Sequence, residues 1–171
     1  MKSLKVLMLN GSPHANGNTA VALREMEAIF KENDVDVETV VLGNRDIRGC
    51  VACGACAKTG KCVFDDGVNE LAPKFQEADG LVIASPVYYA SATFDELNKY
   101  FTISGMPVAS SQYWNSIHGR TPGEAEQDGE GLQTMRTLAR NMTFLMRSIA
   151  LGKEQFGLPE KEDRIATHFI R

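Results

Sequence analysis

A chain of 171 residues is one domain of ordinary size, long enough to bury a single core. Its 43% hydrophobic and 23% charged residues are typical of a soluble globular protein. A formal net charge of -4 gives no electrostatic reason to expect nucleic acid or an anionic membrane as a partner.

The start, MKSLKVLMLN, carries Lys5 inside its apolar run and meets Gly11-Ser12-Pro13 at once. It lacks the uninterrupted apolar stretch and cleavage site of a signal peptide, so Leu4 to Leu9 reads as a buried parallel strand. After the polar loop Asn10 to Gly17, the residues Leu23, Met26, Ile29 and Phe30 recur at helical spacing up to Asn33. Valine-rich Val35 to Leu42 is a second strand. A loop holding every cysteine follows, then a helix from about Val68 to Glu77. Gly80 to Ser85 is a third strand, stopped by Pro86. Thr93 caps a helix running to about Ile103, and Val108 to Ser111 is a short fourth strand. A polar loop from Gln112 to Glu130 leads into a long helix with Leu132, Met135, Leu138, Met142, Leu145 and Ile149 on one face. Residues 153–171 form a C-terminal extension too irregular to place, and no run approaches the roughly 18 apolar residues of a membrane span. A cytoplasmic, reducing setting is expected.

Alternating strands and helices predict an α/β fold with a parallel sheet and right-handed crossovers. Such sheets bind ligands at the carboxyl ends of the strands, where strand order reverses. The loops after the first three strands therefore belong to one edge. The first reads NGSPHANGNTA, residues 10–20. Gly11 and Gly17 permit sharp turns and close approach, while Asn18 and Thr19 stand at a helix entrance that favours an anion. Ser12 and Thr19 add hydroxyl donors. With neither G-x-x-x-x-G-K-[ST] nor G-x-G-x-x-G present, the loop suits a monophosphate, or is an ordinary capped turn. The third strand ends in SPVYYAS, residues 85–91. Tyr88 and Tyr89 there either border a flat ring system or cap the core with their hydroxyls in water. A phosphate loop and a ring loop across one switch point together indicate FMN.

GCVACGACAKTGKC, residues 49–62, contains all four cysteines, at spacing C-x2-C-x2-C-x5-C. In a reducing compartment disulfides are disfavoured. Structural zinc sites usually separate two C-x2-C pairs by a longer stretch, whereas here three cysteines form one continuous run. The bacterial ferredoxin run begins the same way, but its fourth cysteine follows after three residues and precedes a proline. An iron-sulfur cluster, free thiols and zinc all stay open for Cys50, Cys53, Cys56 and Cys62.

GSPHANGNT, GCVACGACAKTGKC and SPVYY, in those positions, resemble the NADPH-dependent FMN reductase and iron-sulfur flavoprotein family, and the likeness covers nearly the whole chain. It implies a flavodoxin-like, doubly wound parallel sheet in three layers over one domain, residues 1–171. Ser12, His14, Asn18, Thr19 and Ala20 would surround the FMN phosphate, and Pro86, Val87, Tyr88 and Tyr89 would border the isoalloxazine. All four cysteines would hold one [4Fe-4S] cluster, although relatives that act as plain flavin oxidoreductases carry similar loops without one. His14 stands where relatives often carry Arg or Lys, so phosphate neutralisation is expected to be weaker or pH-dependent. The family's sheet has five strands and only four are legible here. Where relatives place a further helix and strand, between Ser91 and Phe94, YYASATFDELNKYF runs straight through. A segment missing from this sequence and a natural deletion with rearranged packing are the two explanations.

The expected function is an FMN-dependent oxidoreductase passing electrons from NAD(P)H to a quinone, flavin, nitro compound or other small acceptor. The alternative is an electron carrier using FMN plus a [4Fe-4S] cluster and a ferredoxin-like donor. A non-redox scaffold with zinc in the cysteine loop is a third reading. The resemblance also implies a homodimer or homotetramer. Trp114 covers a flavin or anchors an interface; His118 and His168 show no partners that would make a triad, and Asp65 and Asp66 read as turn and capping groups.

Overall fold

Three strands in the order β2-β1-β3, all parallel, form the sheet of the computed structural model, which describes residues 3–43, 45–88, 93–163 and 165. They are β1 (Leu4–Asn10), β2 (Val35–Val41) and β3 (Gly80–Ala84). The helices are α1 (Asn18–Glu32), α2 (Ala55–Thr59), α3 (Val68–Glu77), α4 (Thr93–Ile103) and α5 (Gly129–Phe156), with a 3-10 turn over Glu124–Gln127 before α5.

Alternation along β1 divides the core between two faces. Val6 and Met8 pack with Leu23, Met26, Ile29 and Phe30 of α1 and with Met135, Ala139 and Met146 of α5. Leu7 and Leu9 point the other way, to Val40 and Leu71 of α3. Each of these fully buried large side chains contributes about 1.5–3 kcal/mol by leaving water, so the central strand anchors the fold on both sides. The parallel sheet of a doubly wound α/β protein is therefore the observed architecture.

Three sequence-based expectations change here. Val108 to Ser111 is not a strand: the segment is irregular and pairs with no described strand. A strand needs a neighbour to satisfy its backbone, and β3, the edge strand among the described residues, faces an open cleft instead of this segment. The apolar stripe of α5 is correspondingly split. Met135 is buried with Ala139 and Met146, and Leu138 and Met142 pack partly buried on the same core; Met135, Leu138, Met142, Leu145 and the exposed Ile149 all border the cleft. Helix α5 also continues through Phe156, four residues into the segment expected to be irregular. The stretch between Ser91 and Phe94, where relatives were expected to carry a further helix and strand, begins within residues 89–92, which lie outside the described residues.

Candidate functional site

The carboxyl ends of β1 and β3 meet directly. The Gly11 N–H donates to the Ala84 carbonyl at 2.8 Å, and a Cβ on Gly11 would stand 3.2 Å from that oxygen. Glycine thus lets the loop after β1 lie against the loop after β3. Both loops open on one cleft of about 1290 Å³, lined by Ser12, His14, Asn18 and Thr19 on one side and by Pro86, Val87 and Tyr88 on another. Aliphatic and aromatic residues of β3, α4 and α5, such as Val82, Phe101 and Leu138, continue the wall. A slot lined mainly by apolar groups, with a cluster of donors at one end, is the general form of a cofactor site.

The donor end is preformed. Ser12 is buried; its N–H donates to Asn10 Oδ1 at 3.0 Å and its hydroxyl accepts from the His14 N–H at 3.1 Å. Helix α1 begins after Gly17 without a side-chain cap, and the Asn18 and Thr19 N–H groups meet no acceptor among the described residues. Uncapped N–H groups and the positive end of the helix dipole suit an anion. Two expected phosphate residues are placed differently. Ala20 is buried with its N–H committed to the Gly17 carbonyl at 2.9 Å, and it does not line the cleft. Asn18 does line it, but its side chain ties down a distant loop: Nδ2 donates to the Thr121 carbonyl at 3.2 Å and Oδ1 accepts from the Ala125 N–H at 3.4 Å. Val87 and Tyr88 are exposed at the rim, and Tyr89 lies outside the described residues.

The loop so tied, residues 115–125, brings Asn115, Ser116, Gly119 and Arg120 to the same cleft. None of these was expected from sequence; the only local signal was a His-Gly-Arg run in a polar loop. The loop is held from behind by Asp128, which caps α5 by accepting from the Gly131 N–H at 2.9 Å and also accepts from the His118 N–H at 2.6 Å. His118 Nδ1 lies 3.2 Å from the same carboxylate. His118 therefore has a partner that sequence did not show, yet it is exposed and outside the cleft lining. These bonds, that from Gly131 first and those from His118 next, hold the Asp128 carboxyl below the usual aspartate range against the opposing effect of burial. A group with a depressed folded pKa contributes stability that is present above about pH 4 and is lost as pH falls further. Asp128→Ala is accordingly expected to cost about 1–2 kcal/mol near neutrality. Urea titrations should show the gap to the parent protein narrowing in acid; a constant gap would count against the ionised cap.

Trp114 does not line the cleft. It is exposed and packs on Tyr113, with ring centroids 5.4 Å apart at a 35° tilt.

The cysteine loop leaves β2 and returns to α3. Gly54 and Gly60 adopt left-handed conformations at the two ends of α2, as glycine does without strain. The loop is closed by Asn69, an anchor not expected from sequence: Oδ1 accepts from the Cys62 N–H at 2.7 Å and Nδ2 donates to the Cys62 carbonyl at 3.1 Å. Asp66 accepts from the Arg48 and Val68 N–H groups, a turn and capping role. Cys50, Cys53 and Cys56 are exposed free thiols, and Cys62 is a half-buried one. Four thiolates match an iron-sulfur cluster in donor type and number. In position they do not yet match, because among the described residues no three His, Cys, Asp or Glu side chains are grouped to hold a metal.

A doubly wound α/β sheet with a donor loop and an aromatic rim at one switch point defines the class of flavin-binding flavodoxin-like proteins. Residues 4–93 match the NADPH-dependent FMN reductase family, and the chain belongs to that family of flavin oxidoreductases. It is 25% identical over 191 residues to an iron-sulfur flavoprotein of Methanocaldococcus jannaschii, covering 85% of this chain and 99% of that protein. It is also 25% identical over 191 residues to the iron-sulfur flavoprotein of Methanosarcina thermophila, covering 89% and 100%. These matched stretches are longer than the present chain, so the relatives hold internal residues with no counterpart here. Among solved structures, RosB with a bound 8-demethyl-8-formylriboflavin-5'-phosphate intermediate shares the fold, with a TM-score of 0.57 and 17% identity over 99% of this chain and 94% of that one. Among the described residues no helix is long and apolar enough to cross a membrane.

Proposed function

We propose that the cleft binds FMN and that the protein is an FMN-dependent oxidoreductase, taking electrons from NAD(P)H and passing them to a quinone, free flavin or other small acceptor in the cytoplasm. The observation that carries this reading is the shared cleft: Ser12–Thr19 and Pro86–Tyr88 border one space, locked together by the Gly11–Ala84 hydrogen bond. FMN would supply the redox chemistry itself, with hydride accepted at the ring. The chain's part is to bind and orient. The uncapped N–H groups of Asn18 and Thr19 and the hydroxyl of Thr19 would hold the phosphate. The backbone at Pro86–Tyr88 would lie along the ring, and the apolar wall would limit water. Cofactor released by heat should run as FMN on chromatography, and FAD in its place would sink the monophosphate reading. Anaerobic addition of NADH or NADPH should bleach the bound flavin if the pyridine nucleotide is the donor.

Thr19→Val is expected to weaken FMN binding about tenfold while leaving thermal stability near that of the parent, because one hydroxyl to a charged acceptor is lost. Fluorescence titration of the apoprotein reads this directly; unchanged affinity would put the phosphate elsewhere. A homodimer or homotetramer is part of the same reading, with the exposed Tyr113–Trp114 pair as a candidate contact. Sedimentation at micromolar concentration should show more than the 18.7 kDa of one chain.

A second reading is an electron carrier in which Cys50, Cys53, Cys56 and Cys62 hold a [4Fe-4S] cluster and a ferredoxin-like protein is the donor. The names of the two relatives above and the cysteine spacing favour it.

A further inference from the structure

We infer that Arg120 is the cation that meets the phosphate of the bound flavin, an inference that rests on the FMN reading above. A phosphate monoester carries roughly -1.5 to -2 charges at neutral pH, while a helix N-terminus offers the equivalent of roughly +0.5. The loop after β1 adds neutral donors and His14 but no arginine or lysine. Charge balance in the low dielectric of the cleft therefore calls for a permanent cation. Among the described residues that line the cleft, Arg120 is the only arginine or lysine. The other formal charge there, Asp79, precedes β3 at the opposite end of the strand, where it accepts from the Lys5 N–H at 2.9 Å.

The backbone around Arg120 is fixed beside the first residues of α1. Asn18 bonds to Thr121 and Ala125, and a Cβ on Gly119 would come within 2.7 Å of Asn18 Nδ2, so only glycine permits this approach. Glu124 holds the turn through its carboxylate, which accepts from the Arg120 N–H at 2.6 Å and the Thr121 N–H at 2.8 Å. That carboxylate is therefore engaged with the backbone, and the Arg120 guanidinium forms no ion pair with a described residue. The neighbouring arginines are engaged: Arg24 pairs with Glu126 and Arg136 with Glu25. Arg120, exposed and with no ion pair to a described residue, sits on a tethered loop that borders a site built for an anion, and a guanidinium there suits bidentate contact with phosphate oxygens.

The test compares FMN with riboflavin, which lacks the phosphate, by fluorescence quenching on flavin-free full-length protein. Arg120→Gln is expected to weaken FMN by about 10- to 100-fold, as loss of a charge-assisted contact does, and to leave riboflavin affinity and the thermal midpoint unchanged. Arg120→Lys should recover part of the loss as a point charge without the planar fork. Equal FMN affinity in Arg120→Gln and parent would overturn the assignment while leaving the FMN reading intact. A parallel loss of FMN and riboflavin would also overturn it, since a phosphate-directed cation has no reason to act on riboflavin. If the parent itself failed to prefer FMN over riboflavin, the phosphate loop would fall together with Arg120.

Discussion

Gly131→Ala is expected to destabilise the protein by about 1–3 kcal/mol, although alanine for glycine inside a helix ordinarily stabilises by about 1 kcal/mol. Gly131 lies in the first turn of α5 and is buried. A Cβ there would come 2.3 Å from Asp128 Oδ2 and 2.9 Å from the backbone Cα of Ile117. The carboxylate is the cap of the helix and the Ile117 backbone belongs to the loop that reaches the cleft, so neither can move aside freely. Displacing the cap costs about 1 kcal/mol, and overpacking adds about 1–3 kcal/mol, which together exceed the gain in propensity. Gly152, in the same helix, is the control. A Cβ there meets nothing within 4 Å, so Gly152→Ala should stabilise by roughly 0.5–1 kcal/mol. Urea unfolding of the two variants should give opposite signs; the same sign in both would show that contact at Gly131 is not the controlling term. Because Ile117 shifts with the cap, Gly131→Ala should also weaken FMN, and Gly152→Ala should not.

Anaerobic reconstitution with iron and sulfide is the experiment with the largest consequence for function. On the second reading it loads about four irons per chain, and Cys56→Ser removes all of them while flavin remains bound. Three of the four thiols are exposed and none is bonded to another, so each is available as a ligand. The loop must first gather them, because among the described residues no three ligating groups are together. Its joints permit this: glycines at the ends of α2 and the Asn69 clasp leave Cys50, Cys53 and Cys56 outside the packed core, while Cys62 stays pinned to α3. Protein handled in air is expected to lose the metal, so iron must be measured under exclusion of oxygen. If iron never binds in a fixed ratio, the carrier reading fails and the NAD(P)H-linked oxidoreductase stands alone.

Sequence patterns determined the parts whose signal is local. Nearly continuous apolar runs marked β1 and β3 and valine content marked β2; spacing of three and four residues marked the buried face of α1; Pro86 marked the end of β3. α3 and α4 fall within the bounds read from sequence. The Ser12–Thr19 and Pro86–Tyr88 loops were assignable to one edge because parallel topology puts carboxyl ends together, and they do share a cleft. Tertiary structure alone decided what depends on distant neighbours. Val108 to Ser111 has a strand's composition, but it pairs with no described strand and is irregular. Most of the α5 stripe borders the cleft, Leu138 and Met142 while also packing on the core, because nothing among the described residues covers it beyond β3. Asn18 reads as a phosphate donor in its own loop, yet its amide is committed over a hundred residues away, to Thr121 and Ala125. Arg120 reaches the cleft only through that long-range tether and the Asp128 cap behind it. No period, spacing or composition within residues 112–130 encodes such contacts, since each partner lies on an element that the chain meets only after folding.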